Sequence, residues 1–481
     1  MRSARDENIR DGGIPRRSFL KRGLGMAGLA GLLATGWIDN VAAARDTMAS
    51  ATGQSSAALL DSIQRGYGFL QTMMDAYDQG TTTRLVQSYS DQNGLFSTAF
   101  TYDNALTVLA FLTRGTRDDR MRARVLGDSL LYAQAHDPTY NDGRLRQAYN
   151  VGPYVFYDGT PQPDNFVHPD GTVNIASQFG FTGSAVGDMA WAGIALAQLF
   201  AATGQQRYED GATALGNWIV DNAYSTIGFG GYTFGVDGAN NRLTYAATEH
   251  NIDVYAFFTM LNKLTGDSTW ADRAAHAHIF IVAMWNPTAG YFYTGTNPDG
   301  TLNPTPIPED VQTWSYLALL DPTYMASVDW ANTNLRVTDT PQDPNSGLTG
   351  NLTLSGVSFS SASLRANPGA PIGGYGPLPD PSAVWLEGTA HLADALLQRS
   401  APGDRVRAEG YLLNIRKAQA SLGQNQTVGG KPIPTGTGVV AASSPLDTGY
   451  GFGYFQYLHI GATSWYLMAV QSDNPYQLGH G

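Results

Sequence analysis

The sequence alternates between two kinds of helical segment, and the alternation occurs six times along the chain. One kind opens with polar residues and is then apolar on nearly every side. Its six members are residues 102–113, 187–202, 248–264, 309–320, 384–397 and 459–470. The other kind keeps one polar face at the 3.6-residue helical period. Its members are residues 56–77, 118–135, 208–219, 270–284, 324–333 and 404–422.

Six helices buried all round and six helices with one wet face fit an inner ring enclosed by an outer ring. We therefore predict an all-α (α/α)6 toroid with parallel inner helices. An open helical solenoid is the alternative, because a stack of repeats also alternates helices. The loops that lead into the inner helices are long, which is typical of functional segments; they are 138–182, 225–247, 286–308 and 339–383. Residues 291–293, followed by the turn residues 297–300, predict a small β-hairpin at the inner-helix N-terminal end.

Paired arginines, Arg16 and Arg17, precede a Gly/Ala-rich apolar run and a stretch of small residues that ends at Ala44. This order is typical of a twin-arginine export signal. We expect residues 1–44 to be the signal peptide, 45–55 a flexible segment, 56–475 a single catalytic domain and 476–481 a tail. The Tat translocase is then a partner during export. The mature protein, without a membrane anchor, is expected in the periplasm or outside the cell.

Composition narrows the classes of function. The chain has no cysteine among its 481 residues, which excludes disulfides, thiolate metal sites and a cysteine nucleophile. A net charge of −12 without basic runs argues against nucleic acid as a partner. We find no glycine-rich nucleotide loop and no convincing set of metal ligands, so we expect neither a cofactor nor a metal.

Each predicted inner helix opens with polar or aromatic residues, and a closed ring of parallel helices brings these openings to one end. A sugar needs rings for its apolar faces and amides or carboxylates for its hydroxyls. Cleavage of a glycosidic bond needs two carboxyl groups with separated pKa values. The candidate catalytic residues are Glu249, Glu387, Asp310 and Asp103. The candidate substrate-binding residues are Tyr102, Asn104, Asp188, His250, Asn251, Asp253, Gln312, Trp314, Trp385 and His459.

Ordinary helix chemistry explains part of this set equally well. Asp103, Asp188 and Asp310 lie near first turns, where capping and the helix dipole favour acids. If its helix starts at residues 381–382, Glu387 lies beyond the capping position, and an unpartnered buried carboxylate is costly. The candidate tryptophan rings are alternatively core side chains, and His250 and His459 are alternatively histidines that satisfy helix ends.

Glu249 and Asp253 stand four residues apart on one helical face, where like charges repel. Such a pair in a funnel predicts a shared ligand or one raised pKa. A solvated pair without function is the alternative.

The inner-helix openings resemble those of secreted bacterial proteins in the six-hairpin glycosidase superfamily. The motifs that carry the resemblance are Tyr102-Asp103-Asn104-Ala105-Leu106, Thr248-Glu249-His250-Asn251-Ile252-Asp253, Asp310-Val311-Gln312-Thr313-Trp314 and Glu387-Gly388-Thr389-Ala390. The resemblance implies an (α/α)6 barrel with acid and base at the inner-helix end of the ring. It also implies a glycan substrate, with β-glucan as the nearest class.

We expect a glycoside hydrolase that works by carboxylate acid/base catalysis. Glu387 or Glu249 would protonate the leaving oxygen, and Asp310 or Asp103 would activate water.

A polysaccharide lyase acting on a uronate-containing glycan is the main alternative. His250 or His459 would act with Tyr102, and Asn251 would neutralise the uronate with help from Arg242. A barrel that binds glycans without turnover is the third possibility.

Overall fold

The computed structural model describes residues 53–479. The chain from Ser62 onward forms one compact unit. Of the residues before Ser62, the structure describes only the start of the first helix, from Gly53. The arginine pair and the cleavage site at Ala44 lie outside the described residues, so export stays a prediction.

Twelve α-helices lie within the described part of the chain. The inner helices are α2 (Thr101–Arg114), α4 (Val186–Thr203), α6 (Thr248–Thr265), α8 (Glu309–Leu319), α10 (Leu386–Arg399) and α12 (Ile460–Val470). The outer helices are α1 (Gly53–Met74), α3 (Arg117–Ala135), α5 (Gln206–Ala223), α7 (Thr269–Ala283), α9 (Met325–Asn334) and α11 (Asp404–Ser421).

The six inner helices close a ring. Each packs against the next inner helix along the chain, and α12 packs against α2. The outer helices α3, α5, α7, α9 and α11 each pack on the inner helix that precedes them. On α1, the Tyr67 hydroxyl donates to the Ala110 carbonyl of α2 at 2.8 Å. Ring closure excludes the open solenoid and confirms the predicted (α/α)6 toroid.

Short antiparallel strands decorate the loops in seven two-stranded sheets and one three-stranded sheet of the described chain. The paired strands are β1 (Thr98–Phe100) with β2 (Ala148–Asn150), β3 (Tyr154–Val155) with β4 (Pro161–Gln162), β5 (Ser184–Ala185) with β6 (Gly235–Val236) and β7 (Arg242–Leu243), β8 (Trp285–Asn286) with β9 (Tyr291–Phe292), β10 (Gly295–Thr296) with β11 (Leu302–Asn303), β12 (Arg336–Asp339) with β13 (Leu354–Val357), β14 (Thr427–Val428) with β15 (Lys431–Pro432), and β16 (Leu446–Asp447) with β17 (Gly453–Tyr454). The predicted hairpin around residues 291–300 is therefore two hairpins, and the turn at 297–300 joins β10 to β11.

The fourth residue of every inner helix anchors a loop. Its side chain accepts a hydrogen bond from a backbone N–H of the segment packed outside that helix, so that a buried donor is satisfied. The six acceptors and donors are Asn104 with Val86, Met189 with Leu145, Asn251 with Tyr232, Gln312 with Phe292, Thr389 with Val357, and Thr463 with Val439. This repeated bond fixes the loops around the open end of the ring.

At the opposite end, arginine–aspartate pairs hold two of the tight turns between inner and outer helices. Arg114 ends α2 and contacts Asp119 of α3 at 2.6 Å, while Arg399 ends α10 and contacts Asp404 of α11 at 2.8 Å. Both aspartates are fully buried. Each also accepts a backbone N–H from the turn, so the arginine and the turn share one carboxylate.

Two boundaries differ from the sequence prediction. Helix α10 begins at Leu386 with Trp385 as its cap, so Glu387 lies in the first turn, where helix geometry favours an acid. Our argument that it lies deeper in the helix was wrong. The expected tail at 476–481 is also wrong at its start, because Tyr476 is buried against the barrel interior.

Helix α4 is long and apolar enough to span a membrane, and it is the only such helix among the described residues. Most of it is buried between α2, α5 and α6 as part of the inner ring. Its composition is that of a core helix.

Candidate active site

The second and third residues of the inner helices face one another across the open end of the ring. The carboxylates in these positions are Asp103, Asp188, Glu249, Asp310 and Glu387. Asp188 and Glu249 are partly exposed, whereas Asp103, Asp310 and Glu387 are only 2–4% exposed. The ring thus forms a funnel lined with carboxyl groups. Solvent reaches these groups at Asp188 and Glu249. This gathers all four candidate catalytic residues.

Glu387 is the most elaborately held of these groups. Its Oε1 accepts a hydrogen bond from the Tyr102 hydroxyl at 2.7 Å, and the Trp465 indole donates to that hydroxyl at 2.9 Å. His391, one helical turn further along α10, places Nε2 3.8 Å from Oε1. Burial alone would raise the pKa of Glu387, but His391 and Tyr102 outweigh it and lower the pKa below its usual value. Glu387 is therefore ionised.

The partner that orients His391 is Glu309, the first residue of α8. Its Oε2 lies 3.2 Å from Nδ1 of His391, and both side chains are completely buried. Burial would lower the pKa of His391, but Glu309 and Glu387 on its two sides raise it to about 9. The result is a buried row of carboxylate, imidazolium and carboxylate that ends at the funnel.

His459 lies between Asp103 and Glu387, and its Nδ1 is 3.5 Å from Oε2 of Glu387. Its Nε2 donates to Oδ1 of Asp103 at 3.1 Å, while its Nδ1 accepts from the Ala462 N–H and caps α12. A Cβ on Gly461 would stand 2.6 Å from that Asp103 oxygen. Glycine at this position allows the histidine and the aspartate to meet. His459 thus lies beside the funnel carboxylates and also satisfies a helix end, as in the alternative interpretation; its role in substrate binding stays a prediction.

Glu249, Asp188 and Asp310 lie in a different electrostatic setting from Glu387. Burial, followed by the charges of Asp310 and Asp253, raises the pKa of Glu249 well above its usual range. Burial and the charge of Asp103 raise the pKa of Asp188 to about 8. Burial, with Glu309 beside it, raises the pKa of Asp310 to about 7. These groups carry their protons at mildly acidic pH, when Glu387 does not.

A layer of aromatic rings closes the funnel one helical turn below the carboxylates. The sixth residues of α4, α8 and α12 are Trp191, Trp314 and Trp465, with ring centroids 5.4–5.9 Å apart. Tyr476 packs on Trp191 and donates its hydroxyl to Asp253 at 2.8 Å. Trp314 and Asp253, predicted to bind substrate, are thus fully enclosed parts of this floor.

Half-exposed rings line the wall of the funnel. Tyr89 stacks on His459 at 4.2 Å, and Tyr454 stacks on Trp385 at 6.0 Å. Trp385 is itself buried, so Tyr454 presents the ring face. His250 packs against Phe234 at 4.4 Å, and burial lowers its pKa to about 4. His250 is therefore a neutral wall residue.

Three predicted substrate-binding amides do not face the funnel, which corrects our sequence interpretation. Asn104, Asn251 and Gln312 are the loop anchors described above, and each also donates its amide N–H to backbone carbonyls. All three are fully buried. Their oxygen and nitrogen atoms are already paired with backbone, so they position loops and do not contact a sugar.

Sequence reasoning missed Glu309, His391 and Tyr476. His391 had a usable signal, because it stands four residues after Glu387 on the same helical face. Glu309 opens α8 beside Asp310, where the helix dipole favours an acid without any catalytic role. Tyr476 had no signal, because its contacts join the end of the chain to the middle. The described residues contain no cluster of three or more potential metal ligands.

The sequence matches no family model and no curated protein. Solved structures match the fold over most of the chain. A glycosidase variant in complex with glucose gives a TM-score of 0.55 at 11% identity, over 88% of this chain and 98% of that one. A D-mannose isomerase gives 0.55 at 12% identity, over 86% and 96%. An α-1,6-mannanase from a Salegentibacter species gives 0.50 at 12% identity, over 86% and 99%.

At these identities the likeness shows the fold alone. The architecture shared with these proteins confirms the (α/α)6 barrel that the alternation of helices predicted and that the resemblance of the inner-helix openings implied.

Proposed function

We propose that this protein is a glycoside hydrolase that cleaves a neutral hexose polymer, with Glu249 as general acid and Glu387 as the charged carboxylate. The observation that carries the proposal is the opposite setting of these two carboxyl groups in one funnel. Catalysis at a glycosidic bond needs one carboxyl group that gives a proton and one that remains charged. Glu249 is partly exposed and protonated, and Glu387 is ionised.

The surroundings support this division of the two roles, which the sequence left open. Tyr102 and His391 stabilise the negative charge on Glu387. A carboxylate held in this way is a poor proton donor, but it can activate water or act as a nucleophile at carbon. Glu249 has acidic neighbours that favour its protonated form. Asp310 and Asp188 add protonated carboxyls able to donate hydrogen bonds to sugar hydroxyls.

A lyase fits the funnel less well. The Tyr102 hydroxyl already donates to Glu387, and burial raises its pKa well above its usual range, so it cannot act as a phenolate base. Asn251 is tied to backbone. Arg242 is exposed, and its guanidinium donates to Thr233 Oγ1 and the Tyr224 carbonyl. A uronate would meet acids without a guanidinium partner.

We propose the class of the polymer and not its individual sugar or linkage. The inner-helix motifs favoured β-glucan, whereas structural neighbours are described as a mannanase and as a glycosidase in complex with glucose. Neutral hexosans are common to both, and an acidic funnel with aromatic walls suits uncharged sugars. Export by the twin-arginine route, which would bring the enzyme to such polymers outside the cytoplasm, belongs to the same proposal.

The test is reducing-sugar release from α-mannan, β-glucans and a polyuronate by the wild type, Glu249→Gln and Glu387→Gln. We expect release from a neutral polymer and its loss in both variants, with Glu409→Gln on α11 as the control. An unsaturated product from the polyuronate would instead show a lyase. Conversion of free mannose to a ketose, without polymer cleavage, would show an isomerase. Full activity in both funnel variants would refute the assignment.

A further inference from the structure

A continuous series of aromatic rings leads from the funnel to the outer surface. It starts at Tyr89, which stacks on His459, and passes to Phe100 at 6.4 Å. Phe100 meets Phe181 at 4.9 Å, and Phe181 meets Phe179 at 6.1 Å. All of these rings are partly exposed. The series therefore offers a sequence of apolar faces that begins beside Asp103 and Glu387.

The outer end of the series is a platform on the β3–β4 hairpin. Phe96 stacks face to face on Tyr154 at 4.6 Å and 4°, and lies 6.0 Å from Phe179. Tyr157 joins it at 4.9 Å and is 72% exposed, yet its hydroxyl donates to the Gly94 carbonyl at 2.6 Å. An exposed ring fixed in this way has little conformational freedom left to lose when a ligand stacks on it.

The backbone at this platform is strained. Phe96 has φ 52°, a left-handed conformation that is unfavourable for a bulky residue. Such strain persists where the surrounding structure enforces it, and it is concentrated at ligand sites. Phe96 lies two residues before β1, and β1 runs directly into α2, the helix that carries Tyr102 and Asp103. One continuous segment therefore links the platform to the funnel.

A cavity of about 710 Å³ adjoins the platform. Asn150, Gln162, Asn174 and Gln178 are among the residues that line it. The Tyr154 hydroxyl donates to Asn150 at 3.3 Å, which joins the cavity to the stacked rings. These amides bond to one another and to backbone carbonyls, which fixes a polar lining beside the aromatic faces. The cavity volume lies in the range of small-ligand sites.

We infer that the platform and this cavity form a distal glycan-binding cleft, which holds sugar units of the same neutral polymer whose scissile bond lies in the funnel. The inference rests on the proposed function for the identity of the polymer. Because the ring series is continuous with the funnel, a chain bound in the funnel can extend along it into the cleft. This arrangement implies a preference for long chains over short ones, because sugar units would be held far from the reacting bond.

The side chains of the cleft select among glycans. Asp164 and Asp170 lie at its edge, and His168 is paired with Asp164 at 2.7 Å. The cavity lining contains no arginine or lysine among the described residues. A polyuronate would therefore be repelled, and an uncharged chain would not.

The test separates binding from turnover by working in the Glu249→Gln background. Retardation in native gels that contain yeast α-mannan or barley β-glucan measures affinity for the polymer. We expect Tyr157→Ala to weaken retardation about tenfold, and Gln178→Ala to weaken it less. Tyr157→Phe keeps the ring face and should retain most of the affinity. Tyr224→Ala, which removes a 44% exposed ring on the outer surface, is the matched control and should change nothing.

The wild-type background adds a second readout. Tyr157→Ala should lower kcat/KM on the polymer about tenfold and leave kcat/KM on a trisaccharide of the same linkage unchanged. An equal loss on both substrates would show a merely structural role and overturn the inference. So would the absence of retardation by either polymer, or retained affinity in Tyr157→Ala. Retardation that depends on Tyr157 without any hydrolysis would sustain the cleft and reject the hydrolase.

Discussion

Buried carboxylates stand at both ends of the inner ring, and they differ in their partners. At the helix C-terminal end, Asp119 and Asp404 are paired with Arg114 and Arg399, and hydrogen bonds from these arginines overcome burial and lower the pKa of both aspartates. At the funnel end, no arginine or lysine of the described chain pairs with the carboxylates; Glu249, for example, has acidic neighbours. The first arrangement holds turns together. The second keeps Glu249, Asp310 and Asp188 protonated beside the charged Glu387, which is the state needed for acid–base chemistry.

The largest effect expected is on activity, at the charged member of the funnel. Glu387→Gln should lower kcat/KM on a neutral hexosan by about 10²- to 10⁴-fold, because the carboxylate that stabilises or activates the reacting group is lost. The free energy of unfolding should change little, since His391 keeps Glu309 as a partner. Activity assays and urea unfolding of the same preparation measure both. An active Glu387→Gln enzyme would place the chemistry elsewhere.

The opposite pattern is expected at the arginine-paired end. Asp404→Asn leaves the guanidinium of Arg399 buried without its main counter-charge, which should cost about 3–5 kcal/mol of unfolding free energy. The folded variant should cleave substrate at the wild-type rate. Glu409→Gln, which breaks the exposed pair with Arg405 on the same helix, is the control and should cost less than about 1 kcal/mol. A loss of activity in folded Asp404→Asn would contradict the division between the two ends.

These two ends also show how far the sequence leads. The twelve helices were predictable because a helix buried all round and a helix with one wet face have different hydrophobic patterns. The convergence of Asp103, Glu249, Asp310 and Glu387 followed from ring closure. The direction in which each adjacent side chain points did not follow from ring closure. Successive helix positions turn by about 100°, so the second and third residues face the funnel while the fourth faces a loop.

The same limit applies to the contacts that set the pKa values. Glu309 and His391 are 82 residues apart, and their pairing depends on the relative height of α8 and α10 in the ring. The arginine–aspartate pairs at the other end are easier to predict from the sequence, because each pair spans only five residues across a tight turn. Tyr476 belongs to the floor because the chain returns after α12. Local pattern therefore determines the elements, and packing determines the chemistry.

A smaller effect should appear in the pH profile. If Glu387 must be charged and Glu249 protonated, kcat/KM falls as pH drops through the lowered pKa of Glu387 and as pH rises through the raised pKa of Glu249. His391→Asn removes the main stabiliser of the Glu387 charge. The acid limb should therefore move to higher pH by about one unit, with the alkaline limb unchanged. His278→Asn on α7 is the control. An unshifted acid limb would mean that His391 does not tune Glu387.

At any one mildly acidic pH, the smallest effect is expected where the wild-type carboxyl is already neutral. Burial and Asp103 raise the pKa of Asp188 to about 8, against about 4 in the unfolded chain, so folding takes up a proton between these values. Stability from this group is complete below about pH 4 and is lost as pH rises towards 8. The Asp188→Asn variant cannot take up this proton. Its unfolding free energy should therefore fall less steeply with pH than that of the wild type, and the two slopes should differ by at most about 1.4 kcal/mol per pH unit. The same substitution at Asp119, whose pKa is lowered by Arg114, should instead destabilise the protein at neutral pH. If the unfolding free energies of wild type and Asp188→Asn run parallel from pH 5 to 8, Asp188 is charged, like Asp119 and Asp404 at the other end. The contrast between the two ends would then not extend to Asp188.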